Sequence, residues 1–272
     1  MPATKLDGRA MLAATIASGP KPRVFEDKLE ERAWRKFRLA QALRIFGNRG
    51  YDEGIAGHIT VRDPIETECF WVNPWGLHFK LIQPEDLLLV DSKGKILQAG
   101  KSPLLNTAAF LIHSKIHAAR PDVICAAHSH SVYGKAFAAL GKPLDMISQD
   151  SCAFYNDHAV YTDYRGIALD VEEGEAIAKA LGSYKAAILQ NHGLLVACDT
   201  IEAAVYFYIS LEKSCQVQLL ADAAGKTVKI PPHQAAETGS KVGNKIAGWF
   251  SGKMEFDLLE SEEKTVFMYL KQ

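Results

Sequence analysis

The spacing of apolar residues predicts several helices along this chain. Residues 26–47 and 105–119 carry apolar side chains three and four positions apart, which is typical of amphipathic helices. Shorter helices are predicted over 131–140 and roughly 172–182, and residues 200–223 are predicted to form the longest one. Because strands are predicted between these helices, the pattern indicates an α/β domain.

Short apolar runs between the helices predict buried strands. Three of them cover 123–127, 186–190 and 194–197. Nearer the N-terminus, GIAGHITVRD predicts a strand, CFWVNPWGLHF a strand interrupted by a turn, and DLLLVDSKGKIL a hairpin. Residues 142–166 are predicted to be irregular, and the chain from 225 onward is predicted to be more loosely structured.

No repeat and no convincing linker divides the chain, so we expect one α/β domain over residues 26–225. Residues 1–25 are expected to form a flexible arm and not a signal peptide, because their weak apolar patch is broken by polar residues. Residues 226–272 are expected to form a C-terminal extension.

The composition excludes several classes of function. The 272 residues include 31 Lys+Arg and 32 Asp+Glu, so the formal net charge of -1 gives no electrostatic basis for binding nucleic acid or an anionic membrane. No apolar run approaches the roughly 18–20 residues needed to cross a bilayer. The 5 cysteines are scattered without a C-x-x-C motif, which favours reduced thiols in a cytoplasmic protein.

The strand over 123–127 leads into His128-Ser129-His130, and this motif is the first chemical signal in the chain. Residues i and i+2 of a strand share one face, so both imidazoles are expected to project together. Paired imidazoles are half of a typical transition-metal site. Solvated or core histidines would give the same pattern, so this motif alone leaves both interpretations open.

A third histidine, His192, stands at the end of the second buried strand and is followed by Gly193. A glycine at this point lets the backbone pass close to a bound group. With His128 and His130 it would complete a three-histidine set that leaves coordination positions open for water or substrate, as expected of a catalytic metal. The long separation in sequence also allows coincidence.

From about Ala33 to Asp222 the chain resembles the class II aldolase/adducin domain. The resemblance rests on three segments, which a long helix follows: RPDVICAAHSH, GKAFAALGKPL and AAILQNHGLLV. The resemblance implies a three-layer α/β fold with a central, mostly antiparallel sheet flanked by helices. It also implies a homotetramer with active sites at subunit interfaces, a small-molecule substrate and Zn²⁺ or another divalent metal. The implied metal ligands are His128, His130 and His192.

The chain departs from the family pattern where the enzymes bind phosphate and transfer protons. The acidic residue that the enzymes carry on the helix before the H-x-H strand falls at Ala109 here. The usual Gly-Asn-Ile-Ser segment reads Gly57-His58-Ile59-Thr60, and Asn73-Pro74-Trp75-Gly76 replaces a second loop of small residues. Because His58 and Trp75 are bulky, we expect a substrate other than a plain sugar phosphate.

Other polar residues are therefore candidates for proton transfer and substrate binding. Two alternatives remain: His113 could be a packed or solvated helix residue, and residues 147–161 could form a plain loop. We expect His117 to lie on a solvated helix face. The catalytic candidates are His58, His113, Asp150 and Tyr155. The substrate-binding candidates are Gly57, Thr60, Asn73, Gly76, Asn106 and Gln149.

Two classes of function are consistent with these features. The first is a divalent-metal-dependent carbon–carbon lyase, aldolase-like or a decarboxylase, acting on a small hydroxy- or oxo-carbonyl compound through a metal-stabilised enediolate. The missing acid at Ala109 disfavours an aldolase more than a decarboxylase, because loss of CO₂ requires an electron sink but no initiating base. The second is a non-enzymatic, adducin-like binding or scaffold domain.

Overall fold

The structure, a computed structural model, describes residues 7–264 except 9, 10, 12, 13, 16, 17 and 167–170. About half of residues 1–25 lie outside the described residues, and the flexibility predicted for this arm stays a prediction. No helix within the described residues is long and apolar enough to cross a membrane.

An 8-stranded sheet forms the centre of the molecule, in the order β4-β3-β2-β1-β5-β8-β7-β6. All neighbouring strands pair antiparallel except β6 and β7, which run parallel. The strands are β1 (His58–Arg62), β2 (Phe70–Val72), β3 (Leu88–Val90), β4 (Ile96–Gln98), β5 (Cys125–Ser129), β6 (His158–Tyr161), β7 (Ala186–Leu189) and β8 (Gly193–Cys198).

Helices cover both faces of the sheet. They are α1 (Lys28–Asn48), α2 (Thr107–Ala119), α3 (Val132–Ala138), α4 (Val171–Leu181), α5 (Ile201–Ala224), α6 (Pro232–Val242) and α7 (Lys245–Glu262). Short 3₁₀ turns span Phe79–Leu81, Pro84–Asp86 and Asp150–Phe154. The predicted helices before residue 225 are confirmed to within a few residues.

The alternation of side chains along the strands separates the core into two main layers. Cys125 and Ala127 of β5 pack with α1, α3 and α5, whereas Ala126 packs with α2 and α4. In β7, Ile188 faces the first layer and Ala187 the second. The expected three-layer α/β architecture with a mostly antiparallel sheet is therefore confirmed.

Two expectations about irregular segments were wrong. Residues 142–166 include the strand β6 and the 3₁₀ turn Asp150–Phe154. The chain beyond residue 225 includes α6 and α7 and is not loosely structured. These elements are stabilised by contacts distant in sequence, including an ion pair between Arg38 of α1 and Glu260 of α7, so local patterning did not reveal them.

Helix α7 crosses α5 closely because two glycines stand at the crossing. A Cβ atom on Gly248 would lie 2.3 Å from a ring carbon of Phe207, and one on Gly252 would lie 2.0 Å from the backbone oxygen of Glu202. The backbone oxygen cannot rotate away as a side chain can. Gly252 therefore sets how closely the C-terminal helix approaches the core.

We expect Gly252→Ala to lower the free energy of unfolding by about 1–2 kcal/mol, measured by denaturant titration. Overpacking costs roughly 1–3 kcal/mol, and the better helix propensity of alanine recovers up to about 1 kcal/mol of that cost. Ser251→Ala, one position earlier in α7, is the control and should change stability by only a few tenths of a kcal/mol. A net stabilisation by Gly252→Ala would show that the crossing is not tight.

Candidate metal centre

Three strand ends bring the predicted ligand histidines together. His128 lies in β5, His130 follows the end of that strand, and His192 lies in the turn between β7 and β8. Because β8 pairs with both β5 and β7, the turn that carries His192 lies beside the end of β5. The sheet topology therefore joins residues more than 60 positions apart.

One nitrogen from each of His128, His130 and His192 lies within 4.8 Å of the others. The ring centroids are 5.1 Å apart for His128 and His130, 4.6 Å for His128 and His192, and 4.8 Å for His130 and His192. Within the described residues, this is the only group of three or more His, Cys, Asp or Glu side chains close enough to share an ion.

A backbone hydrogen bond selects the tautomer of His128. Its Nδ1 lies 2.8 Å from the carbonyl oxygen of Leu194, which can only accept, so Nδ1 carries the proton. In the neutral ring Nε2 is then left with a free lone pair. Histidines that bind metals typically donate their other ring N–H to such an acceptor.

Burial keeps the histidines neutral. Desolvation, followed by the nearby His192, His58 and His130, lowers the pKa of His128 well below its usual range. Burial and then His130 lower the pKa of His192 to about 4. Burial also lowers the pKa of His130. Neutral imidazole is the form that binds a metal, so at pH 7 these rings need not lose a proton first.

The donor set fits a divalent transition metal. It consists of three convergent, neutral imidazoles, of which His128 is oriented by a backbone acceptor. Imidazole nitrogen suits Zn, Cu, Fe and Ni better than it suits Mg or Ca, which prefer oxygen ligands. Three protein ligands that leave further positions open are typical of catalytic zinc sites.

A buried carboxylate supports the loop that follows His130. Glu212 of α5 accepts hydrogen bonds from the Ser131 hydroxyl at 2.5 Å and from the backbone N–H groups of Tyr133 and Gly134 at 2.9 and 2.7 Å. The Tyr208 hydroxyl lies 3.1 Å from that of Ser131. Nothing in the sequence pattern identified Glu212, because it belongs to a helix about 80 residues away.

The Asn191-His192-Gly193 turn requires these residue types for local reasons. Asn191 has φ 56°, a left-handed conformation that asparagine tolerates better than most residues. A Cβ on Gly193 would lie 2.6 Å from the backbone oxygen of Ser129 and 3.5 Å from Cε1 of His128. Gly193 therefore allows β8 to approach β5, and its expected closeness to a bound group stays a prediction.

A cavity of about 610 Å³ opens at the three histidines. Its walls are largely apolar. The polar side chains that line it include those of the histidines, Asn106, Thr107, Tyr164 and Lys135, of which Lys135 pairs with Glu53. The lining residues that the sequence had not indicated as a site are Ile55, Ala56, Leu105, Thr107, Ala108, Ile112, Lys135, Tyr164, Gly166 and Asn191. No Asp or Glu is among the described residues that line it.

Helix α2 presents small residues to the cavity at the position where the family pattern has an acid. Ala108 and Ala109 line the wall, and Asn106 caps the helix by accepting a hydrogen bond from the Ala109 backbone N–H at 3.2 Å. Asn106, a predicted substrate contact, therefore lies in the wall.

His58 and His113, two predicted catalytic residues, lie beside the metal-ligand set. His58 is paired across the sheet with His128 and lines the cavity. Its ring centroid is 4.0 Å from that of His113 and 5.2 Å from that of His128. His113 is fully buried behind it and does not line the cavity. Burial, followed by neighbouring histidines, lowers the pKa of both well below the usual range.

Two other expectations are corrected by the packing between α2 and the sheet. Thr60, a predicted substrate contact, is buried and bonds to His113 and His117 instead of lining the cavity. His117 is buried, with 1% of its surface exposed, and stacks on Phe70, so the solvated position predicted for it is wrong.

The glycine-containing loops determine the path of the backbone around the cavity and contribute few polar contacts to it. Gly57 lines the cavity with φ 90°, and a Cβ there would lie 3.3 Å from both Phe79 and Ser129. Asn73 is turned inward, where its side-chain oxygen accepts from the Ile59 N–H at 3.1 Å. Gly76, with φ 83°, provides the turn beside Trp75, and it is Trp75 that lines the cavity.

The remaining candidates are not brought to this cavity within one chain. Gln149, Asp150 and Tyr155 belong to the 3₁₀ segment and its flanks, and this segment packs against α6. Tyr155 is partly buried against the main core. The expectation that these residues reach a neighbouring subunit's site stays a prediction.

The chain belongs to the class II aldolase and adducin family. The profile described as "Class II Aldolase and Adducin N-terminal domain" matches residues 37–219. A solved structure, "L-fuculose 1-phosphate aldolase from Glaciozyma antarctica PI12", superimposes with a TM-score of 0.86 at 48% identity. The match covers 94% of this chain and 98% of that one.

Two curated relatives have names that describe other reactions. "Decarboxylase NovR" of Streptomyces niveus is 44% identical over 85% of this chain and 86% of its own length. "4-hydroxy-3-prenylphenylpyruvate oxygenase/4-hydroxy-3-prenylbenzoate synthase" of Streptomyces roseochromogenus subsp. oscitans is 45% identical over 85% of this chain and 83% of its own.

The buried His117 predicts a pH dependence of stability. Burial, and then Arg62, lower its pKa from 6.5 to about 3. The unfolded chain therefore takes up the proton first as the pH falls, and stability is lost from about pH 6.5 downward toward the folded pKa. In metal-free protein, His117→Gln should reduce the slope of unfolding free energy against pH by up to about 1.4 kcal/mol per pH unit.

The slope is measured by urea unfolding between about pH 6 and 4. His233→Gln is the control, because the side chain of His233 is exposed and lies outside the layer between α2 and the sheet. An equal slope for wild type and His117→Gln would mean that His117 is protonated in the folded protein.

Proposed function

We propose that this protein is a divalent-metal-dependent carbon–carbon lyase acting on a small hydroxy- or oxo-carbonyl compound. The observation that carries the proposal is the convergence of three neutral imidazoles in the wall of a largely apolar cavity. Family membership supports a lyase-type enzyme. A non-enzymatic, adducin-like scaffold would have no physical need for this arrangement of ligand atoms.

His128, His130 and His192 would hold the metal, with Zn²⁺ as the expected ion. When bound, a divalent cation would supply Lewis-acid stabilisation of the negative charge that develops on substrate oxygens as a neighbouring bond breaks. With a substrate bound, the largely apolar walls would reduce the water around the histidines, and this would strengthen electrostatic interactions there. The chain itself contributes orientation, desolvation and the hydrogen-bonding groups of His58.

The walls favour a substrate with an apolar body. Trp75, Leu105 and Ile112 line the cavity where a sugar phosphate would require polar partners. Lys135, the one lysine among the described lining residues, could attract a carboxylate, although its charge is partly balanced by Glu53. A 2-oxo or 3-oxo acid with an apolar or aromatic substituent suits these surfaces better than a sugar phosphate.

Decarboxylation is the reaction that we favour. No carboxylate among the described residues lines the cavity, and the α2 position of the missing acid is Ala109. An aldol cleavage requires a group to remove a proton from a substrate hydroxyl at the start, whereas the loss of CO₂ does not. The name of the relative "Decarboxylase NovR" supports the same choice.

A second candidate is oxidative decarboxylation with O₂ as co-substrate. The observation that favours it is the name of the second relative, which describes an oxygenase that acts on an arylpyruvate. The same imidazole set would also suit Fe²⁺. The two candidates differ in whether O₂ is consumed, and this can be measured directly.

We expect His128→Ala and His192→Ala each to reduce the bound metal of the purified protein from near stoichiometric to a small fraction. Removing one of three ligands leaves too few donors to hold the ion against water. Elemental analysis measures the content after dialysis. His233→Ala is the matched control and should retain wild-type metal content, since its side chain is exposed and far along the chain in α6.

Substoichiometric metal in the wild type that is also unaffected by these substitutions would contradict the lyase proposal. Circular dichroism of each variant shows whether loss of metal reflects loss of the site or loss of the fold.

The reaction type is tested by incubating metal-loaded protein with phenylpyruvate, a 3-oxo acid and a hydroxy-ketone in separate assays. We expect CO₂ release from the 3-oxo acid without O₂, because its 3-carbonyl accepts the electron pair of the breaking bond. Loss of CO₂ from phenylpyruvate would leave an unstabilised acyl anion, so we expect it only when O₂ is present as the oxidant. No aldehyde is expected from the hydroxy-ketone, because no carboxylate that could start retro-aldol cleavage is among the described residues of the cavity. Repeating the assay without O₂ separates the two candidates. Aldehyde formation without CO₂ release would favour an aldolase instead.

The homotetramer implied by the resemblance stays a proposal. Gln149, Asp150 and Tyr155 lie away from the cavity of their own chain, which is consistent with a role at a neighbouring subunit.

A further inference from the structure

His130 is the one histidine of the candidate metal set that follows the end of a paired strand. His128 lies within β5 and is paired with residues of both β1 and β8. The last residue of β5 that pairs with β8 is Ser129, opposite Leu194, and His130 comes directly after it. The position of His130 therefore depends on what fixes the residues on either side of it.

Tyr208 of α5 contacts both of the serines that flank His130. Its hydroxyl oxygen lies 2.7 Å from Oγ of Ser129 and 3.1 Å from Oγ of Ser131, and it donates to the backbone oxygen of Ser129 at 3.0 Å. Tyr208 and both serines are at most 1% exposed. Buried polar groups depend on one another for hydrogen bonds, so these contacts fix the backbone on both sides of His130.

Glu212 lies one turn after Tyr208 on the same face of α5 and holds the chain beyond Ser131. Its carboxylate accepts from the Ser131 hydroxyl at 2.5 Å and from the backbone N–H groups of Tyr133 and Gly134 at 2.9 and 2.7 Å. A Cβ on Gly134 would lie 2.8 Å from a side-chain oxygen of Glu212, so the glycine permits this close approach. A buried carboxylate requires such donors, because burial without them is costly.

This network affects the candidate metal centre only through the backbone around His130. Neither Tyr208 nor Glu212 lines the cavity or belongs to the three-histidine set. A metal ligand must be held within about 0.5 Å of its bonding position, and groups that support a ligand typically change metal affinity by roughly 10–100-fold when they are removed. Two residues that never touch the ion can therefore determine how well it is bound.

We propose that Tyr208 and Glu212 are positioning residues that fix His130 as the third ligand of the metal centre. Helix α5 then sets the affinity for the ion, while His128 and the turn of His192 are held by the sheet. The proposal rests on the metal centre of the proposed function and concerns metal binding, not the reaction. A purely structural role for the two residues predicts lower stability with unchanged metal affinity.

Glu212→Gln and Tyr208→Phe in the full-length protein test the proposal. The Kd for Zn²⁺ is measured by competition with a chromophoric chelator, and the absorption bands of bound Co²⁺ report the number and arrangement of its ligands. We expect Glu212→Gln to raise the Kd by roughly 10–100-fold and to change the Co²⁺ spectrum. The reason is that both carboxylate oxygens accept hydrogen bonds, and one of them becomes an NH₂ group that faces a donor. Tyr208→Phe removes only a hydroxyl and should shift both measurements in the same direction.

Glu202→Gln is the matched control on the same helix. Glu202 is 8% exposed, and its carboxylate lies 3.3 Å from Nε of Arg38, so it does not support the His130 segment. The control should keep the wild-type Kd and Co²⁺ spectrum even where it lowers stability. Thermal unfolding of the metal-free proteins reports the stability of every variant. If Glu212→Gln does not fold, Tyr208→Phe decides.

Wild-type Zn²⁺ affinity and an unchanged Co²⁺ spectrum in the folded variants of Tyr208 and Glu212 would overturn the proposal and leave the metal centre standing. A wild-type protein that does not bind Zn²⁺ would contradict the proposed function together with this inference. Weaker binding in these variants, with wild-type binding in Glu202→Gln, is the result that supports the positioning role.

Discussion

The antiparallel pairing of β5 with both β1 and β8 is the constraint on which the site depends. It places His58 directly across from His128, and it brings the turn of His192 beside the end of β5. The pairing with β8 is close because Gly193 has no side chain to meet the backbone of Ser129. Residues two positions apart on a strand share one face of the sheet, so in this register Thr60 and His128 both lie on the face that α2 covers.

Burial then determines what these groups can do. Histidines in a dry layer are held neutral, and neutral imidazoles bind metals or form directional hydrogen bonds without carrying charge. Each ring near the centre is either fixed by a partner, as His128 is by the Leu194 carbonyl, or left with unsatisfied nitrogens, as His58 is. His58 also lines the cavity.

The local parts of this picture were predictable from the sequence, and the non-local parts were not. The His128-Ser129-His130 spacing predicted two rings on one side because strand geometry has a period of two. His117 was misplaced because α2 carries apolar residues on several sides, so periodicity did not show which polar residue faces the sheet. The close α5–α7 crossing depends on Gly248 and Gly252, which in sequence suggest a loose segment.

The resemblance to the family pointed to the three histidines that the fold brings together, and the departures from the family pattern bear on the chemistry that we propose. With alanine at position 109 and tryptophan at 75, the cavity combines a metal-type donor set with apolar walls. With a divalent cation bound, such a site would stabilise charge on a ligand oxygen, while the apolar walls would hold the rest of the ligand by dispersion and desolvation. These properties are better suited to an acid with an apolar body than to a phosphorylated sugar.

A crystal structure of the zinc-loaded protein, with data collected on both sides of the zinc absorption edge, tests the central claim most directly. We predict one anomalous difference peak per chain, in contact with ring nitrogens of His128, His130 and His192. Full zinc occupancy at any other place, or no peak at these histidines in protein saturated with zinc, would contradict the assignment of the metal centre.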